Sequence, residues 1–205
     1  MPTEIKHRAL TDLAFVGLLS YAFVTFNLPS PSKVLALSTA TITVVLFILL
    51  EHRRGVRPLA SVGLRTDNLI GAFKLSGFTL FPLLVVGISY AILRGVYRPG
   101  HFVVALLLYP LWGLVQQILF QGIALEAFRS LGLGWWSILL TNALFVAVHY
   151  PSTFLMKATA IGGLLFSATY YFRPNVIPLA IYHGVFGAFL YYVFRQKDAL
   201  GSLLN

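Results

Sequence analysis

The chain contains no cysteine, few charged residues and only six carboxylate side chains. Without cysteine it forms no disulfide, no thiolate metal site and no cysteine nucleophile. Charged residues make up 10% of the 205 residues, whereas a soluble globular domain carries about 25%. Intrinsic disorder, collagen-like repeats and soluble secreted scaffolds are therefore excluded.

Long runs of apolar residues dominate the sequence. Hydrophobic residues account for 58% of the chain and the mean hydropathy is +0.83, and the runs are roughly 17 to 25 residues long, enough to cross a membrane. Proline and glycine punctuation between the runs predicts seven helices, at about 10–27, 34–50, 69–93, 101–127, 135–149, 154–172 and 176–194. We therefore predict a single integral membrane domain over residues 1–205, an all-α polytopic bundle of about seven transmembrane spans.

The net charge of +9 is spread along the chain rather than clustered on one face. The basic residues stand in short connections between apolar runs, which is where the positive-inside rule places them. This excludes a nucleic-acid partner, which requires a basic face, and leaves the lipid bilayer as the partner of the surface. With a cytoplasmic N-terminus, nine of the 15 Lys and Arg residues fall on the cytoplasmic side, which favours that orientation.

Helix four carries an unusual group of amides at Gln116, Gln117 and Gln121. Polar side chains inside a membrane helix are costly, so each requires a partner or a function. Gln117 and Gln121 are four residues apart and Gln116 is a neighbour, so we predict an amide stripe that faces the bundle interior. The alternative is that these glutamines only join helices by hydrogen bonds.

Two histidines lie on later helices. Asn142, Phe145 and His149 follow the spacing of one face of helix five. His183 lies near the centre of helix seven, where Gly184 and Gly187 allow another helix to approach closely. We therefore hypothesise that helices four, five and seven bring both imidazoles and the amide stripe into one buried pocket.

These residues resemble the three motifs of the CPBP family, the CAAX proteases and bacteriocin-processing enzymes, over about residues 60–190. The family pattern Phe-x-x-x-His is present as Phe145 to His149. The pattern Glu-Glu-x-x-x-Arg is represented by Gln116, Gln117 and Gln121, with amides in place of all three charged residues. The pattern His-x-x-x-Asn is represented by His183 and Gly187, with glycine in place of asparagine.

The resemblance implies an intramembrane endopeptidase in which a motif-one glutamate and the motif-two histidine activate water. It implies His149, His183, Gln116 and Gln117 as the catalytic positions, and we expect Gln121, Phe145, Asn142 and Gly187 to contact the substrate. The implied partners are membrane-embedded or lipidated peptides, in the cell membrane of a bacterium. A glutamine amide, however, cannot serve as a general base, and the loss of such a base typically costs ~10²- to 10⁴-fold in rate.

Two functions of different classes follow. The first is an endopeptidase that works through His149, with Gln116, Gln117 and His183 as binding and polarising groups. The second is a catalytically impaired relative that binds a membrane peptide or a lipidated partner, as a chaperone or immunity factor does. A transporter is third, since the chain has no second matching half. We expect no cofactor, because zinc usually needs three histidines, or two and a carboxylate. A zinc ion held by the two histidines is the alternative.

Overall fold

The computed structural model describes residues 3–25, 30–94 and 99–194, and within these ranges the secondary structure is helical. The helices in chain order are α1 (Thr3–Thr25), α2 (Ser30–Arg53), α3 (Leu69–Arg94), α4 (Pro99–Gln117), α5 (Glu126–Ser130), α6 (Trp136–Ala147), α7 (Thr153–Phe172) and α8 (Val176–Phe189). A 3₁₀ turn spans Leu59–Val62, and π-helical stretches occupy Ile118–Leu125 and Leu190–Phe194.

The predicted all-α membrane bundle is confirmed, with a helix at each of the seven predicted places. Four helices within the described ranges are long and apolar enough to cross a membrane, namely Leu35–Arg53, Leu69–Arg94, Phe102–Ser130 and Val176–Phe194. Trp136–Ala147 is a shorter apolar helix. The chain is therefore an integral membrane protein.

Helices α4 and α8 form the most extensive helix pair among the described elements. Glycine permits this close approach at both helices. A Cβ atom added at Gly184 would overlap the backbone and ring of Pro110, and one at Gly113 would lie 2.8 Å from the Ala180 carbonyl oxygen. The predicted small-residue contact on the last helix is therefore confirmed, and it holds His183 against α4.

The stretch Ile118–Leu125, called here the π segment, links α4 and α5 and is buried along its whole length. It packs against α1, α6 and α7 at the centre of the bundle. Gly122 allows the 3₁₀ turn to approach it, since a Cβ atom there would lie 2.6 Å from the Val62 carbonyl oxygen. π-helical geometry is rare and is found frequently at functional sites.

A buried ion cluster joins α1, α2 and the connection that follows. The Arg57 side chain is 4% exposed and donates hydrogen bonds of 2.5 Å to Asp12 and to Glu51. Its guanidinium also lies over the Phe47 ring. The cluster therefore joins α1 to α2, while the apolar residues Val16, Val44 and Ile48 of these two helices belong to the main hydrophobic core.

Candidate functional site

The centre of the site is a contact between helices α4 and α8. Gln117 is fully buried, and its Nε2 atom lies 3.1 Å from His183 Nδ1. Its other amide atom, Oε1, is buried without a hydrogen-bond partner. The two residues are held at this distance by the glycine-mediated packing of α4 against α8, so the sequence prediction that they meet agrees with the geometry.

Aromatic rings enclose His183. The Phe166 ring of α7 stacks on it with centroids 5.6 Å apart and an interplanar angle of 10°. The Phe145 ring of α6 meets it edge to face at 5.5 Å. His183 therefore lies between α4, α6 and α7 with its ring orientation fixed, while part of the residue remains exposed.

His149 contacts the Phe145 ring, which also contacts His183. It follows the last turn of α6, and its ring lies 5.1 Å from the Phe145 ring, edge to face. Its Nδ1 atom is 2.7 Å from the Phe145 carbonyl oxygen. Because a carbonyl oxygen can only accept, Nδ1 carries the proton, and in the neutral ring Nε2 presents its lone pair.

Gln121 and Asn142 join the site to α7. Gln121 is fully buried and its Nε2 donates to Ser167 Oγ over 3.1 Å. Asn142 Nδ2 donates to the Ala160 carbonyl oxygen over 3.0 Å. Both amide oxygens, Gln121 Oε1 and Asn142 Oδ1, are buried without a partner. These residues position the π segment and α6 against α7, next to His183.

Gln116 faces a different side of α4 from Gln117. Its side chain lines a cleft toward α1 and α2, together with Phe120 and Val148. The three glutamines are thus all buried, as the sequence predicts, yet each contacts a different neighbour: the α1–α2 cleft, α8 and α7. The single stripe is divided because Gln116 and Gln117 are adjacent and point about 100° apart around α4, toward different neighbouring helices. Gln121 lies in the π segment, whose i→i+5 pattern departs from α-helical spacing.

Gly187 lies one turn after His183 and faces α4. A Cβ atom there would lie 3.1 Å from Cδ2 of the Tyr109 ring. The position therefore serves the approach of the two helices, and a side chain at residue 187 requires the tyrosine ring to move.

The site contains no carboxylate among the residues that the structure describes. Glu4 is exposed near the start of α1, and the other described carboxylates pair with arginines: Asp12 and Glu51 with Arg57, Asp67 with Arg65, and Glu126 with Arg129. Asp198 lies outside the described residues. In the connection before α3, the hydrogen bond from Arg65 lowers the pKa of the Asp67 carboxyl, so this group is ionised and paired at neutral pH.

The donors of the site do not fit a zinc ion. Within the described ranges, no three His, Cys, Asp or Glu side chains stand close enough to share a metal. The available donors are neutral imidazoles and carboxamides, which would leave the charge of Zn²⁺ uncompensated in a lipid-shielded site.

Sequence reasoning missed Phe166, Ser167 and Ser20. Ser167 is a small polar residue within an apolar helix, a signal that marks a buried hydrogen bond. Phe166 carried no such signal, because an aromatic residue in a membrane helix is ordinary. Ser20 lines the cleft beside Gln116, and its Oγ atom is buried without a partner.

The chain matches one family description. A family model described as "Type II CAAX prenyl endopeptidase Rce1-like" matches residues 98–189. This range includes all three motif positions and leaves out α1, α2 and α3. The match confirms the resemblance inferred from the motifs. No curated protein and no solved structure matches the chain significantly.

Proposed function

We propose that the protein is a relative of the CAAX proteases that binds a membrane-embedded or lipidated peptide without efficient hydrolysis. The match of residues 98–189 to the family model supports this proposal. The observation that carries this proposal is the buried pairing of Gln117 with His183 in a site whose described residues include no carboxylate. The family's peptide-binding position is retained, whereas the group that would take a proton from water is replaced.

The chemistry of the carboxamide supports binding over catalysis. An amide donates through its nitrogen and accepts through its oxygen, but it does not accept a proton at neutral pH. Gln117 Oε1 and Gln121 Oε1 are both buried and unpaired, so a bound peptide amide would satisfy groups that otherwise remain without a hydrogen bond. Loss of a general base typically slows hydrolysis by ~10²- to 10⁴-fold.

A second candidate is slow hydrolysis through His149. The hydrogen bond from Nδ1 to the Phe145 carbonyl orients the ring and leaves Nε2 available as a proton acceptor. In this case His149 activates water, while Gln117 and His183 orient the scissile carbonyl. The specific observation in its favour is the fixed tautomer of His149.

One assay separates the two functions. Purified protein in lipid nanodiscs is incubated with a library of apolar and prenylated peptides, and binding and cleavage are both recorded. The first proposal predicts binding without cleavage by the parent and cleavage by a Gln116→Glu, Gln117→Glu double variant. Cleavage by the parent that disappears in His149→Ala supports the second function. His52→Ala, an exposed position on α2, is the matched control.

If the folded parent binds no peptide of the library, the first proposal is wrong. Folding of every variant is checked by size-exclusion chromatography and circular dichroism, so that loss of binding is not confused with loss of structure.

We also propose that the protein resides in the plasma membrane of a bacterium with its N-terminus in the cytoplasm. The distribution of basic residues supports this orientation, since nine of 15 then lie on the cytoplasmic side. The exposed rings of Trp135 and Trp136 stand at the start of α6. Trp135 stacks on Tyr171, and the Arg129 guanidinium also lies over that tyrosine ring. Such aromatic residues anchor membrane proteins at the interface.

A further inference from the structure

Gly163 on helix α7 lies directly against the Phe145 ring of helix α6. An added Cβ atom at residue 163 would lie 2.6 Å from Cδ1 of that ring and would also overlap Oδ1 of Asn142. The preceding residue, Gly162, is different, since a Cβ atom there would meet only Phe166, at 4.0 Å. Of these two neighbouring glycines, Gly163 is therefore the one that makes room for side chains of α6.

The Phe145 ring is enclosed on its other sides. It is 2% exposed, and it meets the rings of Phe120, His149 and His183 edge to face, with centroid distances of 5.2, 5.1 and 5.5 Å. A close-packed interior passes a displacement on to its neighbours. The ring therefore cannot turn away from residue 163 without displacing Phe120 or an imidazole.

Asn142 fixes the contact between α6 and α7 one turn before Phe145. Its Nδ2 atom donates to the Ala160 carbonyl oxygen over 3.0 Å, while its Oδ1 atom lies against Gly163. The carboxamide thus contacts the α7 backbone at two residues. Because Asn142, Phe145 and His149 share one face of α6, this contact turns that face toward α7.

We propose that Gly163 is a positioning residue, which sets the places of His149 and His183 through the Phe145 ring that contacts both. The inference rests on the proposed function, because the two imidazoles belong to the proposed peptide site. Phe145 then acts on the peptide through the imidazoles, since its burial leaves the ring no surface for direct contact. The alternative is that Gly163 serves only the packing of α6 against α7.

The first test records the histidine signals directly. The full chain, labelled with ¹⁵N-histidine, is placed in lipid nanodiscs, and the signals of His149 and His183 are assigned from their loss in His149→Gln and His183→Gln. Gly163→Ala is expected to shift the ¹⁵N signals of both imidazoles, whereas Gly162→Ala is expected to leave them in place. The two variants are matched, because each adds one methyl group and the same helix propensity to α7. The exposed His52 provides the reference signal.

The second test asks whether the effect passes through the Phe145 ring. Phe145→Leu replaces the ring by a smaller side chain that turns aside more easily, and this change alone is expected to shift both imidazole signals. In the Phe145→Leu chain, Gly163→Ala is expected to shift the imidazole signals much less than in the parent. A role in helix packing alone would lower the thermal stability without this dependence on the ring.

A binding measurement connects the positions of the imidazoles to the proposed function. The probe is an acetylated and amidated peptide of Leu, Ala and Val, labelled with a fluorophore. Gly163→Ala is expected to weaken its binding about fivefold or more, the factor that corresponds to overpacking by one methyl group. Gly162→Ala is expected to bind the peptide as the parent does.

The outcomes separate the inference from the proposed function. If Gly163→Ala lowers the thermal stability but moves neither imidazole signal, or if Gly162→Ala moves them equally, the positioning role is overturned and the proposed function stands. If the signals move as expected but the folded parent binds no peptide, the positioning role holds and the proposed function is overturned. If Gly163→Ala does not fold, Phe145→Leu alone decides, and unchanged imidazole signals in that variant overturn the inference.

Discussion

At the scale of single residues, the buried Gln117–His183 pair decides what the site does. Gln117 fills a position where a carboxylate would make the pocket acidic, and it holds His183 by one hydrogen bond instead of an ion pair. Phe166 fixes the ring from the other side. The result is a neutral and oriented pair, which suits recognition of an uncharged peptide amide.

This pair predicts a non-additive effect on stability. Gln117→Leu leaves His183 Nδ1 buried without its partner, and we expect the free energy of unfolding to fall by about 1–3 kcal/mol. A second change, His183→Phe, removes the orphaned nitrogen while keeping an aromatic ring against Phe166, so the double variant is expected to recover much of the loss. Equilibrium unfolding in detergent micelles measures both. If the two changes prove additive, the hydrogen bond does not contribute as described.

The sequence predicted the burial of the three glutamines and the meeting of Gln117 with His183, because an amide in an apolar helix has to find a partner. It did not predict that Gln116 faces α1 and α2, since that depends on which helices pack around α4. It also did not predict the Phe166 ring on His183. The direction of Gln116 and the stacking of Phe166 on His183 both depend on how separate helices pack, which the residue spacing within one helix does not reveal.

At the scale of elements, the α4–α8 contact positions the site. A Cβ atom at Gly184 would overlap backbone atoms of Pro110, whereas one at Gly187 would meet only the side chain of Tyr109. A backbone atom cannot move without displacing its whole helix, but a ring can rotate. A side chain is therefore harder to accommodate at Gly184 than at Gly187, although both residues belong to the same small-residue pattern.

This difference predicts an order of effects. Gly184→Ala is expected to force α4 and α8 apart and to lower the unfolding free energy by about 1–3 kcal/mol, with loss of peptide binding. Gly187→Ala is expected to have a smaller effect on both. Gly17→Ala is the matched control, because an added Cβ atom there meets nothing within 4 Å. Thermal unfolding and peptide binding in nanodiscs measure the order, and equal effects at Gly184 and Gly187 would contradict it.

The bounds of the helices were predictable to within a few residues, apart from the start of α1, because proline, glycine and charged residues mark the ends of apolar runs. The π-helical geometry of Ile118–Leu125 was not predictable from the sequence. Its i→i+5 hydrogen bonds replace α-helical ones although Ile118–Leu125 contains no proline, and its single glycine, Gly122, does not by itself specify a π-helix. Its burial by α1, α6 and α7 is a tertiary property. Gln117, the last residue before the π segment, pairs with His183 of α8, whereas Gln121 within the segment pairs with Ser167 of α7.

At the scale of the whole molecule, two parts of the chain meet at the cleft. Residues 98–189 carry the family match and both histidines, whereas α1 and α2 lie outside it and supply Ser20 and one apolar wall. The Asp12–Arg57–Glu51 cluster joins α1 and α2 at the end of the bundle that also carries Arg65 and the start of α3. The proposed orientation places this end in the cytoplasm.

The absence of cysteine makes that orientation directly measurable, because any cysteine introduced is the only thiol in the chain. Arg54 follows α2 and Arg94 ends α3, both are exposed, and they lie at opposite ends of a spanning helix pair. With a cytoplasmic N-terminus, a membrane-impermeant maleimide added to intact cells is expected to label Arg94→Cys and to leave Arg54→Cys unlabelled until the cells are opened. Each variant removes one positive charge, so the two are matched in their effect on the charge balance. The opposite labelling pattern would reverse the orientation and place the basic connection between α2 and α3 outside the cell, against the positive-inside rule.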